Sequence, residues 1–169
     1  ATGTENTSIE PSTLPQISIK DGLFMQFLDV SGNRLYGGGE TYYSGKYRKY
    51  LRMVDISDPS DPKELDYNHT DENFLEGDYF DNLFVKDNVA ITTSNYGPLF
   101  FDVSEDKFNR LTAISSSVTT TKCCYDPGAD LYGNKLYLST ELNMGYGFRI
   151  IDVTNPKSPS HVSDVTVTD

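Results

Sequence analysis

The sequence predicts an all-β, β-propeller-like protein of about three four-stranded antiparallel blades, and three observations lead there. Residues 51–65 (LRMVDISDPSDPKEL), 98–111 (PLFFDVSEDKFNRL) and 148–162 (FRIIDVTNPKSPSHV) superimpose without forcing, so the chain carries an internal repeat. Its period is roughly 45 to 55 residues, the length of a four-stranded blade. Upstream of each copy stands a tight turn between two β-type runs: LDVSGNRLYGG, LFVKDNVAITT and DLYGNKLYLST. The composition agrees, because 12 Tyr, 9 Phe, 13 Gly and 8 Pro favour strands and turns. No stretch of useful length shows 3.6-residue periodicity, so essentially no helix is expected.

Each unit reads as strand, two-residue hairpin, strand, variable loop, strand, Asp-Pro turn and strand. The first hairpins centre on Gly32-Asn33, Asp87-Asn88 and Gly133-Asn134. Primed turns need positive φ, which Gly, Asn and Asp tolerate best. Gly37-Gly38-Gly39 follows a strand with no helix behind it, so it suits a bulge or a close strand contact and not a phosphate cradle. The third strand ends on Asp55, Asp102 or Asp152, whose carboxylates can accept from backbone amides two residues on. In Asp58-Pro59 and Asn155-Pro156 the residue before proline is held extended, which ends the strand. A second proline, Pro62 or Pro159, restarts an outer strand that can spare a donor, placing the last strand at the blade's rim. The approximate units are 24–67, 80–114 and 128–165, with residues 1–14 as an N-terminal extension.

The variable loop between second and third strands is GGGETYYSGKYRKY, SNYG and ELNMGYG in the three units. Tyr42, Tyr43, Tyr47, Tyr50, Tyr96 and Tyr146 fall there, which would set them on one rim of the ring. Phenols suit sugar stacking or protein contacts, and they suit packing between neighbouring blades equally well chemically. Lys46, Arg48, Lys49 and Arg52 form the one basic cluster of an acidic sequence and could face an acidic neighbour. Asp55, Asp58 and Asp61 lie three apart in one turn, oxygen donors of the kind calcium takes. The plain alternative is a solvated acidic turn, since the spacing is not that of an EF-hand loop.

The pair FRIIDVTNPKSP and LRMVDISDPSDP resembles the LVIVD repeat, a β-propeller module of secreted and cell-surface proteins. The likeness covers about residues 15–165 of a repeat region taken as 15–169, with two good copies and a degenerate middle one that lacks both prolines. What it implies is a propeller in an extracellular setting. The family shares no catalytic residues and no single ligand, so none is carried onto this chain.

A ring of three blades would be tightly curved, since propellers hold four to eight. The residues Pro15-Gln16-Ile17-Ser18-Ile19 align with the outer-strand segments after Pro62 and Pro159, as the tail of a preceding repeat would. The expectation is therefore an incomplete ring, completed by further copies of the chain or by other chains; a body capped by residues 1–14 is the alternative. The chain begins with Ala1 rather than Met, as one trimmed by a signal peptidase or by cloning would, so residue 1 is not expected to be the start of translation; the secreted or surface setting is what the resemblance implies. Asn6 and Asn68 head N-glycosylation sequons. Cys123 and Cys124 are adjacent, and three states fit them: a vicinal disulfide, bonds to another chain, or two thiols.

Several functions are disfavoured. With 25 carboxylates against 14 Lys and Arg the net charge is −11, which a phosphate backbone would repel, so nucleic acid is not an expected partner. No apolar run reaches the roughly 18 residues of a membrane helix, so no insertion is expected. His69 and His161 have no evident third ligand, and no nucleophile elbow, His-Glu-x-x-His motif or cofactor fingerprint occurs. The reading is a non-enzymatic extracellular module, without cofactor unless calcium, that assembles through exposed blade edges. Two alternatives stand beside it: a carbohydrate-binding domain using the tyrosine rim, and a fragment of a larger propeller enzyme.

Overall fold

A computed structural model describes residues 24–43, 46–69, 82–94, 97–119, 128–142 and 145–167. Among the described residues twelve strands form three four-stranded sheets, each hydrogen-bonded in chain order as an antiparallel meander. The first blade holds β1 (Phe24–Ser31), β2 (Arg34–Tyr43), β3 (Lys46–Asp55) and β4 (Lys63–His69). The second holds β5 (Leu83–Lys86), β6 (Val89–Ser94), β7 (Gly97–Asp102) and β8 (Asn109–Arg110). The third holds β9 (Ala129–Tyr132), β10 (Lys135–Leu142), β11 (Gly145–Asp152) and β12 (Ser160–Thr166). The one described helix is a single turn, α1 (Ser116–Thr119), which drops Val118 into a core.

The turns form for the reasons their residues suggest. Gly32 and Gly133 each take φ +58°, where a side chain would be strained, while Asp87 and Asn88 take 48° and 59°, the left-handed pair of a type I′ turn. At the far end of each third strand the same cap recurs three times. Ser57, Ser104 and Thr154 donate backbone N–H to Asp55, Asp102 and Asp152 at 2.8, 3.0 and 2.8 Å. The amides of Ile56, Val103 and Val153 reach back to the carbonyls of Asn33, Asn88 and Asn134 at 2.8 to 2.9 Å. That bond ties the first hairpin to the third strand in every blade. The following Asx-Pro turns close on Asp58 and Asn155, whose carbonyls accept from Asp61 and Ser158. The outer strands β4 and β12 start directly after Pro62 and Pro159, as expected of rim strands. Without those prolines the middle blade's outer strand shrinks to two residues.

One expectation is corrected. The stretch read as a variable loop is mostly strand: β2 and β3 pair without a break from Arg34↔Asp55 to Tyr43↔Lys46, leaving two residues between them. The same holds at Ser94↔Gly97 and Leu142↔Gly145. The units differ there in the length of a hairpin, not of a loop. The glycine run behaves as anticipated: the β1 register shifts opposite it, between Met25 and Phe27, and the Phe27 ring occupies the space where a Gly38 side chain would stand.

Two apolar cores lie between blades. Tyr36, Leu51 and Met53 of the first meet Leu83, Leu99 and Phe101 of the second. On the other side Val89, Ile91 and Phe100 of the second meet Leu136, Leu138 and Ile151 of the third. Strand alternation divides the middle blade's residues between the two: Phe100 faces forward and Phe101 backward. Strand β6 is buried at every position, so a short strand carries two interfaces. Polar bonds cross the same seams. Asp29 Oδ2 accepts from the Val85 amide at 2.7 Å, Asp66 Oδ2 accepts from the Phe108 amide at 2.8 Å, and Arg34 donates to the Val103 carbonyl at 3.4 Å. The third blade is tied back by Lys157 on Asp102 and by Arg149 on the Ser117 carbonyl.

Candidate functional site

The stacking gives each blade a forward face, toward the next blade, and a backward face, toward the preceding one. Aligning the three hairpins and the three Asp caps matches positions directly. Met53, Phe100 and Ile150 correspond on the forward face; Val54, Phe101 and Ile151 correspond on the backward face. The inner strands supply Leu28, Leu83 and Ala129, then Val30, Val85 and Leu131, all on backward faces by their register. In the second and third blades these inner-strand positions pack into the cores. In the first blade they meet solvent, with Leu28 60% and Val30 50% exposed. The third blade's forward face is open in the same way: Tyr132 is 78% exposed, and Tyr137, Phe148 and Ile150 are half-buried.

The first blade's backward face is not uniformly open. Tyr50 and Val54 on β3 are fully buried and Arg52 is nearly so. Arg52 Nε lies 2.9 Å from Glu64 and its guanidinium sits 5.2 Å over the Tyr67 ring, which is 5.7 Å from Tyr50. Burial pushes the Tyr50 phenol up, against the opposing pull of the Arg52 charge. Its hydroxyl finds no hydrogen-bond partner among the described residues.

Tyr50 is therefore not a rim residue, which corrects the sequence expectation: it is a mid-strand side chain on a closed part of the sheet. Tyr42, Tyr43, Tyr47 and Tyr146 belong to strands by their backbone, Tyr42 directly opposite Tyr47, and their side chains lie outside the described residues, as does Tyr96 altogether. Of the basic cluster, Lys49 is buried against Glu40 and Arg52 against Glu64, so both are neutralised within their own blade. Lys46 and Arg48 are placed by backbone alone. Asp55 and Asp58 are spent on Ser57 and Ser60, which hold their carboxyls below the usual range, and Asp61 faces Lys63 at 3.5 Å. Among the described residues no three such side chains group as metal ligands. Asn68 is 6% exposed in β4 opposite Leu51, so the folded blade withholds that side chain from solvent. Asn6, Cys123 and Cys124 lie outside the described residues.

A cleft of about 420 Å³ opens between the turns of the first and second blades, lined by Asn33, Arg34, Tyr36, Asp55, Asn88 and Asp106. Its charged groups are occupied: Arg34 pairs with Asp106, and Asp55 holds the Ser57 amide. It is a seam between blades, and its two carboxylates among the described residues, Asp55 and Asp106, each have a structural partner. The strongest electrostatics belong to structural clamps. Lys157 first, with the Ser104 hydroxyl and amide, holds the Asp102 carboxyl at about 2. Arg149, bonded to Asp164 at 2.7 and 3.0 Å, holds that carboxyl at about 2, and Lys135 depresses Asp152 further still.

Sequence reasoning expected exposed apolar blade faces and strand edges but did not say which residues stand on them. The available signal was Leu28 and Val30 on β1, which match core positions of the later blades once the hairpins are aligned. No curated protein matches the chain. The family model for the LVIVD repeat matches residues 42–68 and 131–167, which fall on the first and third blades. Those are the two copies that keep the Asx-Pro turn. With three propeller-like sheets, a thrice-repeated Asp cap and two stretches recognised by the family model, the chain carries LVIVD repeats in its first and third blades.

Proposed function

We propose that this chain is a non-enzymatic binding and assembly module of an extracellular or cell-surface protein, working through the outward faces of its end blades. One observation carries the reading. The middle blade is buried on both faces, whereas the matching inner-strand positions of the first blade, Leu28 and Val30, stand 60% and 50% exposed. Large apolar side chains grouped on a sheet face are the usual mark of a protein contact. The extracellular setting follows the family, whose repeats occur in secreted and surface proteins. Enzymatic function draws no support from the cleft, where every charged group described has a structural partner.

Sedimentation velocity over a wide concentration range tests the reading. The 169-residue chain should gain mass above the monomer as concentration rises, and Val30→Asp should remove that gain. A monomer at every concentration would overturn it.

A further inference from the structure

The third blade's forward face carries counterparts, identical or similar, of the residues with which the first blade holds the second. Asp29 accepts from the Val85 amide and Arg34 reaches the Val103 carbonyl and Asp106. Their counterparts in the third blade are Asp130 and Lys135, one exposed and the other half-buried on the outward side. Tyr36 and Met53, both fully buried between blades, correspond to Tyr137 and Ile150, which are only half-buried. The opposite half of the same junction lies on the first blade. Leu83, Val85 and Val103 receive the first blade's forward face, and their counterparts are Leu28, Val30 and Ile56.

Only the inner-strand part of that junction is open on the first blade, since Arg52 and Val54, the counterparts of Leu99 and Phe101, are already buried. Within the chain the closest approach between the first two blades is made by inner strands, β1 and β2 against β5. On the first blade's backward face β3 is closed and β1 is open, so the surface that β5 presents to its neighbour is the one β1 still presents.

We propose that the third blade of one copy docks on the first blade of a second copy, forward face to backward face, reproducing the inner-strand part of the internal blade junction between chains. The partner is thus a second copy of this chain, and the inference rests on the assembly reading above. Two copies joined this way at both ends give six blades, within the four to eight of closed rings. The contact joins two different surfaces, so it makes a testable prediction that a symmetric face-to-face pair does not.

The experiment mixes single-face variants. Leu28→Asp disables the backward face at an exposed position, and Ile150→Asp disables the forward face. Because Ile150 is half-buried, Tyr132→Asp at a 78% exposed position serves as a second forward-face variant, with circular dichroism confirming the fold of each. Each variant alone should lose self-association by at least about a hundredfold, the effect of an unpaired charge in an apolar contact. Mixing a backward-face variant with a forward-face variant should restore a one-to-one pair through the single intact junction, read by sedimentation or native mass spectrometry. Asp130→Ala should weaken the wild-type assembly about tenfold, as loss of a charge-assisted hydrogen bond does. If the wild-type chain assembles but either variant alone still pairs with itself, the forward-to-backward junction is wrong while the assembly reading stands. If the wild-type chain stays monomeric, both fall.

Discussion

The middle blade and its two neighbours are built from the same repeat, yet they sit differently. The middle blade has the poorest copy of the sequence consensus, without its prolines and with an outer strand of two residues. It is nevertheless the best buried, with β6 enclosed throughout and β7 at all but its last residue. The outer blades keep the consensus and leave one face partly in water. The consensus therefore records turn chemistry within a blade, while burial depends on having a neighbour on each side. Turn residues are needed wherever the chain reverses; apolar residues on both faces are needed only where both faces are covered.

Substitutions can break this contrast, beginning with the largest effect. Phe101→Ala, at a fully buried ring between the first two blades, should destabilise the chain by about 3–5 kcal/mol in denaturant titration. Leucine truncated at the exposed matching face should do far less: Leu28→Ala should stay within about 0.5 kcal/mol in dilute solution. Comparable losses at both positions would mean that the faces are not differently covered. The turns sharpen the comparison from the other side. Gly133→Ala forces a side chain into φ +58° and should cost about 1 kcal/mol in thermal unfolding, with Gly133→Asn milder, because Asp87 and Asn88 already carry such angles in the middle blade.

The smallest effect concerns acid. Asp102 and Asp164 have carboxyls held at about 2, below the roughly 3.9 of an unfolded chain. A depressed carboxyl contributes stability that is present above its unfolded value and is lost as pH falls through its folded value. Stability should thus decline between about pH 4 and pH 2. Lys157→Met, which removes the leading cause of the Asp102 depression, should shallow that decline, measured as denaturation midpoint against pH. An unchanged slope would show that this clamp between blades is screened by water.

Much of the fold was legible because it rests on local chemistry. The Gly-Asn and Asp-Asn turns, the three Asp caps and the Asx-Pro turns each need particular residues at fixed spacing, so the meander and its repeat could be read directly. The long β2–β3 hairpin was not legible. GGGETYYSGKYRKY lacks the alternation of apolar and polar residues that marks a half-buried strand, because its inner half packs glycine against Phe27 and its charges pair within the sheet. Tyr50 was misplaced for a related reason: a phenol suits a rim and a core alike, and only the register shows that it lies mid-strand. Exposed blade faces and edges were anticipated, but not the residues on them, which the structure shows to include Leu28, Val30 and Tyr132. An alternating strand reads the same whether its apolar side has a neighbour or not, so exposure there is a property of the stack.

The most direct measurement is amide hydrogen exchange followed at low and high protein concentration. The account predicts strong, concentration-independent protection in β6 and β7, and protection in β1 and β9 that rises with concentration as their faces are covered. Exchange in β1 and β9 that is the same at every concentration would contradict the claim that the two outward faces are halves of one junction.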